Sequence, residues 1–215
     1  VQGASVPNLV RICAGYPESY ADKYYGTAAA DAEYDPDAAK QLLVDAGYDP
    51  DGGNKPTVHF SSLTNQYGNE KEVAEVAAVM LTDAGFDVEL EVLDNSAFSE
   101  QVHSPGNNRD VHLITLGCGP ALTPLFYQCE WPGVHNSTCD YSGVADWETT
   151  SDSIMQTIDS AARLDLWGDW QEHFLEWNGD IVLYEMQNVI AINSDFEWEA
   201  RKDGWMTFRD LKVAK

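Results

Sequence analysis

Basic residues are scarce in this chain of 215 residues: 12 lysines and arginines stand against 36 aspartates and glutamates, a formal net charge of −24. The resulting field repels phosphate backbones and anionic lipid, which argues against nucleic-acid and membrane-surface binding. The charge reads as a solvated acidic surface, suited to high salt or an extracellular setting, rather than as a dock for a cationic partner. Long apolar runs are absent as well, so no segment is long and apolar enough for a membrane-spanning helix. The sequence also lacks G-x-S-x-G, G-x-x-x-x-G-K-[ST], H-E-x-x-H and G-x-G-x-x-G, which removes the common hydrolase, P-loop, zinc-protease and dinucleotide signatures. The chain begins with Val1 and shows no basic stretch followed by an apolar one, as expected of a mature or excised chain.

What is present fits a folded α/β protein. Apolar residues make up 44% and aromatics 11%, too many for a disordered chain. A chain of this length buries most of its unfolded surface without a disulfide or metal staple. Four cysteines, Cys13, Cys118, Cys129 and Cys139, are compatible with an oxidising compartment and allow three complete pairings. Cys129 and Cys139 flank a short polar loop, so local pairing of these two is the first expectation. A metal site from Cys129, His135 and Cys139 is the alternative, without a C-x-x-C pair or an obvious fourth ligand. Asn136-Ser137-Thr138 matches a glycosylation sequon, a tripeptide common by chance.

Residues 1–34 show no clear period and carry Tyr16, Tyr20, Tyr24 and Tyr25; they read as an irregular lead-in. The pattern sharpens at Asp35, a helix cap, followed by Pro36 at the first helical position and by Ala38, Ala39, Leu42, Leu43 and Ala46 at helical spacing. Gly47 closes that helix, and Asp49 to Gly53 is a turn. A strand is expected over 57–63, with His59 an ordinary strand residue, then a helix over 69–84, a strand over 86–93 and a helix from 95 or 96 to about 103. A short buried strand follows over 110–116, helices over 151–162 and 164–177, and strands over 181–183 and 189–192. The β-α-β-α-β order across 56–117 points to a parallel sheet flanked by helices. The joins Asp45-Ala46-Gly47-Tyr48-Asp49 and Asp83-Ala84-Gly85-Phe86-Asp87 solve one problem alike: glycine turns the chain out of a helix and an aromatic folds back on it.

In open parallel sheets, ligands sit beyond the carboxyl ends of the strands. Those ends supply the candidate ligand-binding residues Thr64, Asn65, Tyr67, Gly117, Cys118 and Gly119, with Asp94-Asn95 at the middle end. Loop aromatics Tyr67, Phe126, Tyr127 and Trp131 are candidates to stack on a ligand. Gly117-x-Gly119 is followed by Pro120 in a strongly negative chain, which argues against a phosphate loop. Cys118 is also readable as a small apolar wall residue. No catalytic residue, metal ligand or cofactor is expected.

The segment Tyr34-Asp35-Pro36-Asp37-Ala38-Ala39-Lys40-Gln41-Leu42-Leu43-Val44-Asp45-Ala46-Gly47-Tyr48 resembles the "yDPekAkeLLaeAGy" segment of the family 5 extracellular solute-binding proteins, the receptors of ABC importers. Ala84 to Leu90, Asp110-Val111-His112-Leu113-Ile114, and Ala162 to Trp177 followed by Asp180 to Tyr184 follow in the order that the family has them. The resemblance implies an α/β lobe of the type II periplasmic-binding-protein kind, with an irregular lead-in over 1–34, a ligand-binding lobe over 35–180 and a returning C-terminal segment over 181–215. It further implies a monomeric, non-enzymatic protein that captures a short peptide or small polar solute. An N-terminal lobe and ABC permease subunits would be its partners, at an extracellular or periplasmic site, as a lipoprotein or secreted protein. Many peptide binders carry an acid after the strand at 111–116, and Gly117 to Pro124 has none, which leaves the ligand class open. The alternative function is an α/β enzyme with its site at the same strand ends.

Overall fold

The structure is a computed structural model that describes residues 5–26, 35–64, 68–103, 110–120, 123, 147–178, 180–186, 189–201 and 207–214. Among them the chain divides into two compact units. Residues 35–117 form one, called the sheet unit below; residues up to 26 and from 118 onward form the other, the aromatic unit. The elements, in chain order, are β1 (Ser5–Pro7), α1 (Ala21–Tyr24), α2 (Pro36–Asp45), β2 (Thr57–Leu63), α3 (Glu70–Asp83), β3 (Asp87–Leu93), α4 (Asn95–His103), β4 (Val111–Leu113), α5 (Trp147–Gln156), α6 (Ser160–Trp177), β5 (Tyr184–Met186), β6 (Phe196–Glu197) and β7 (Lys212–Val213). Single 3-10 turns lie at Pro17–Ser19 and Phe208–Asp210.

In the sheet unit, β2 is the middle strand of an order β3-β2-β4, with both pairings parallel as expected. Asp35 caps α2, accepting from the Ala38 N–H at 2.8 Å, and Pro36 opens the helix. Both glycine joints form. Gly47 (φ +92°) and Gly85 (φ +107°) take the left-handed region, and the next N–H turns back, Tyr48 to Leu43 O at 2.9 Å and Phe86 to Leu81 O at 3.1 Å. A side chain on Gly85 would also run into Pro50, so the turn after α2 packs closely on the end of α3.

Period two on β2 decides which helix covers which face. Val58 and Phe60 pack with Ala74, Ala77 and Leu81 of α3 on one face. On the other, Leu63 packs with Phe98 of α4. The strand expected over 110–116 is shorter, Val111–Leu113, and Val111 is exposed. Among the described strands it pairs only with β2, and an edge strand needs neither the length nor the burial of a middle one.

The aromatic unit is built differently. β1 pairs antiparallel with β5, Val6 opposite Glu185, and β6 pairs antiparallel with β7. Its core gathers Ile12, Trp147, Ile154, Trp167, Trp170 and Phe174. Trp170 lies 5.1 Å from Trp147 and 5.5 Å from Phe174, centroid to centroid, and its indole N–H donates to Ser151 Oγ at 3.0 Å. The expected helices 151–162 and 164–177 are instead α5 and α6, which break at 157–159. Asp159 accepts from the Ala161 and Ala162 N–H groups at 3.1 and 2.9 Å and so starts α6 four residues early. Strands at 181–183 and 189–192 do not form; the strand here is β5, over 184–186, because β1 is there to pair with it. Residues 189–192 take no regular structure, and Val189 stands exposed.

Candidate functional site

The carboxyl end of β2 runs into Thr64, whose N–H donates to Leu93 O at 2.9 Å, carrying the β2–β3 pairing one residue past the strand. Thr64 is half-buried. At the end of β3, Asp94 is taken up as the cap of α4: its Oδ1 accepts from the Ser96 and Ala97 N–H groups, both at 2.9 Å. Gly117 is exposed, with open space where a side chain would project. Thr64 and Gly117 belong to the sheet unit, Cys118 and Gly119 to the aromatic unit. Asn65, Tyr67, Phe126, Tyr127 and Trp131 lie outside the described residues.

Cys118 is bonded to Cys13 by a disulfide, with the two Cα atoms 5.2 Å apart. The Cys13 N–H donates to Cys118 O at 3.0 Å. Gly119 O accepts from Thr123 Oγ1 at 2.8 Å, and Thr123 is fully buried. Local spacing holds no signal for a bridge between residues 105 positions apart. Cys13–Cys118 occurs in one of the three complete pairings, the one that also joins Cys129 to Cys139. That second pair, and His135 with it, lies outside the described residues.

A polar patch that the sequence did not single out covers the α4 side of the sheet, toward the amino-terminal half of β2. There a depression of about 320 Å³ is lined by His59, Ser61, Glu89, Glu91 and Gln101, with Phe60 and Leu90. Register makes the patch: His59 stands opposite Glu89, and Ser61 lies between Glu91 and His112. His59 Nδ1 lies 2.8 Å from Asp110 Oδ2, and Nε2 lies 3.4 Å from Glu89 Oε2. Gln101 accepts from Ser61 Oγ at 2.5 Å and donates to Glu91 at 3.0 Å. The His59 backbone N–H, and then its ring, hold the Asp110 carboxyl below the usual carboxylate range. These groups satisfy one another, and His59 behaves as a strand residue with local partners. Among the described residues no group of three or more His, Cys, Asp or Glu is arranged to hold a metal ion. None of the described helices is long and apolar enough to cross a membrane.

A parallel sheet with helices on both faces, its carboxyl ends leading into the candidate loops, defines an α/β lobe of the type II periplasmic-binding-protein class. Residues 11–130 match the family of bacterial extracellular solute-binding proteins, family 5 (middle), and the chain belongs to that family. This is a family of solute-binding proteins, not of enzymes. No curated protein matches the sequence. Among solved structures, a peptide-binding protein described as AppA from Clostridium difficile is similar at TM-score 0.70 and 16% identity, over 99% of this chain and 43% of that one. OppA from Haemophilus influenzae, in complex with RPPGFSPFR, is similar at TM-score 0.69 and 16% identity, over 100% and 41%. The oligopeptide-binding protein AppA from Bacillus subtilis, in complex with a nonapeptide, is similar at TM-score 0.63 and 18% identity, over 85% and 38%. At these identities the likeness is one of fold, and the chain spans about two fifths of the length of those structures.

Proposed function

We propose that this chain is the ligand-capturing lobe of an extracellular solute-binding protein that delivers a short peptide or another small polar solute to an ABC importer. The family match over residues 11–130 carries this reading. Its wall residues are Thr64, Asn65, Tyr67, Gly117, Cys118, Gly119 and Trp131, the strand ends and the loop aromatic expected from sequence. An N-terminal lobe closes over the ligand, and hinge closure presents the loaded receptor to permease subunits. The receptor is a monomer, held at the cell surface as a lipoprotein or secreted, and it turns nothing over. With no acid between Gly117 and Pro124, a peptide's amino terminus has no carboxylate there to pair with. The ligand is therefore held by backbone and aromatic contacts more than by that ion pair.

Calorimetric titration of the intact receptor with RPPGFSPFR, with nickel plus L-histidine and with stachyose tests capture. Saturable binding of one of them with no chemical change supports it; turnover of any of them overturns it. Each lobe supplies only part of the contacts, so the 215-residue chain alone binds at least about 100-fold more weakly than the intact receptor, about 2.7 kcal/mol. Equal dissociation constants would rule out capture shared between two lobes.

A further inference from the structure

Ladder pairing of β4 ends at Leu113, and Pro120 has no N–H to offer. Within the aromatic unit, residues 118–120 are therefore held by side-chain and irregular backbone contacts. The disulfide joins Cys118 to Cys13, and beside it the Cys13 N–H donates to Cys118 O at 3.0 Å. The Tyr16 N–H donates to Cys13 O at 3.0 Å, which turns the partner segment so that the Tyr16 hydroxyl lies 3.7 Å from where a Gly119 side chain would begin. Thr123 Oγ1 donates to Gly119 O at 2.8 Å, a further anchor among the described residues. Both cysteines are half-buried, not sealed in the core. Without the S–S bond, the described residues hold this backbone by one hydrogen bond to Cys118 O and one to Gly119 O, and it belongs to no described ladder or helix.

We propose that Cys13–Cys118 is a redox-sensitive clamp on the capture wall. Oxidised, it fixes the backbone of Cys118 and Gly119 in the conformation that meets the solute; reduced, it releases that backbone while the tryptophan core stays folded. This rests on the capture reading above, which places Cys118 and Gly119 in the wall. A fixed backbone contributes to affinity because its ordering entropy is not lost on binding. The switching step is ordinary thiol–disulfide exchange with an external dithiol. The S–S bond breaks and two S–H groups form, with two electrons and two protons supplied by dithiothreitol, which closes to its cyclic disulfide.

The test compares the oxidised 215-residue chain, the same chain in dithiothreitol, and the Cys13→Ala/Cys118→Ala variant, in which any bridge between the other two cysteines stays intact. In both unbridged forms amide exchange at residue 13, whose N–H donates to Cys118 O, is expected to rise at least about 100-fold more than at the α6 amides around Trp170, which exchange only on unfolding of the whole unit. In the intact receptor, whichever of RPPGFSPFR, nickel with L-histidine or stachyose binds the oxidised form is expected to lose at least about tenfold in affinity on reduction and recover it on reoxidation. Unchanged exchange at residue 13 overturns the clamp, as does unchanged affinity. Loss of α6 protection equal to that at residue 13 also overturns it, because the bridge would then act on the unit only as a whole. If no probe binds the oxidised receptor, the capture reading fails, and amide exchange alone decides whether the bridge clamps this backbone.

Discussion

The two units reach stability by opposite routes. Every described element of the sheet unit lies within residues 35–117, and its strands and helices alternate along the chain. Its core is mainly aliphatic, with Val58, Ala74, Leu81, Val88 and Leu90 around Phe60. The aromatic unit closes over long chain separations. β1 pairs with β5, Cys13 bonds to Cys118, the Tyr20 hydroxyl donates to Leu164 O at 2.6 Å, and the Gln171 amide donates to Glu18 O at 3.1 Å. Its core is four tryptophans deep, counting Trp177 against the buried Trp147, Trp167 and Trp170. Long closures cost chain entropy before any contact repays it. Large aromatic burial and a covalent bridge are suited to offset that cost, whereas a βαβ run gains its contacts early and locally.

The largest expected effect strikes at that difference. Removing Cys13–Cys118 opens a separation of 105 residues and should cost the aromatic unit about 4–5 kcal/mol on a chain-entropy account. Urea unfolding followed by tryptophan fluorescence reports on that unit, which holds all the described tryptophans. A loss below about 1 kcal/mol would show that the bridge does not compensate for the long closure. Next, Trp170→Ala should cost about 3–5 kcal/mol, since the ring is fully buried against Trp147, Trp167 and Phe174 and its N–H partner Ser151 is buried too. The sheet unit offers a finer contrast between its two glycine joints. Gly85→Ala, at positive φ and against Pro50, should cost about 2 kcal/mol or more. Gly47→Ala, at positive φ but in open space, should cost about 1 kcal/mol, and equal melting temperatures for the two variants would refute the close packing on Gly85.

Smaller still, the caps Asp35 and Asp159 do the same work in different units, so Asp35→Ala and Asp159→Ala should each cost about 1 kcal/mol by denaturant midpoint. The smallest effect is a pH dependence. The Asp110 carboxyl titrates lower in the folded chain than in the unfolded one, so its contribution is complete above the unfolded value of about 3.9 and fades as pH falls through the folded value. Asp110→Asn should flatten the acid limb of the stability curve only slightly, because the side chain is half exposed. An unchanged acid limb would show that the pairing with His59 adds nothing measurable.

The sheet unit was legible in sequence because each of its elements buries one face, and a buried face leaves a period. Thr57–Leu63, Glu70–Asp83 and Asp87–Leu93 fall within a residue of their expected bounds. Asp35-Pro36 and the two glycines mark ends through local chemistry that no tertiary contact needs to confirm. The first 34 residues showed no period, yet Val10, Ile12, Tyr24 and Tyr25 are buried. They enter the core one at a time from an irregular path, so no spacing announces them. The break at 157–159 was missed because Asp159 caps α6 within an otherwise continuous helical pattern.

Of the candidate site, Thr64 follows the end of β2 as expected from the strand pattern, whereas β4 ends at Leu113 and leaves Gly117 four residues beyond it. That Cys118 pairs with Cys13, and that Asp94 is spent on capping α4, could not be read, since both depend on which groups fold next to them.

By itself the sequence determined the α/β alternation, the helix caps, the glycine joints and the strongly acidic surface, all set by neighbours a few residues away. Tertiary structure alone decided the order β3-β2-β4, the pairing of β1 with β5, the disulfide partner of Cys118 and the patch in which His59 meets Glu89 and Asp110. These join residues from about 30 to 180 positions apart. Such contacts follow from which surfaces remain to be buried once the local elements exist, and a one-dimensional pattern does not record that.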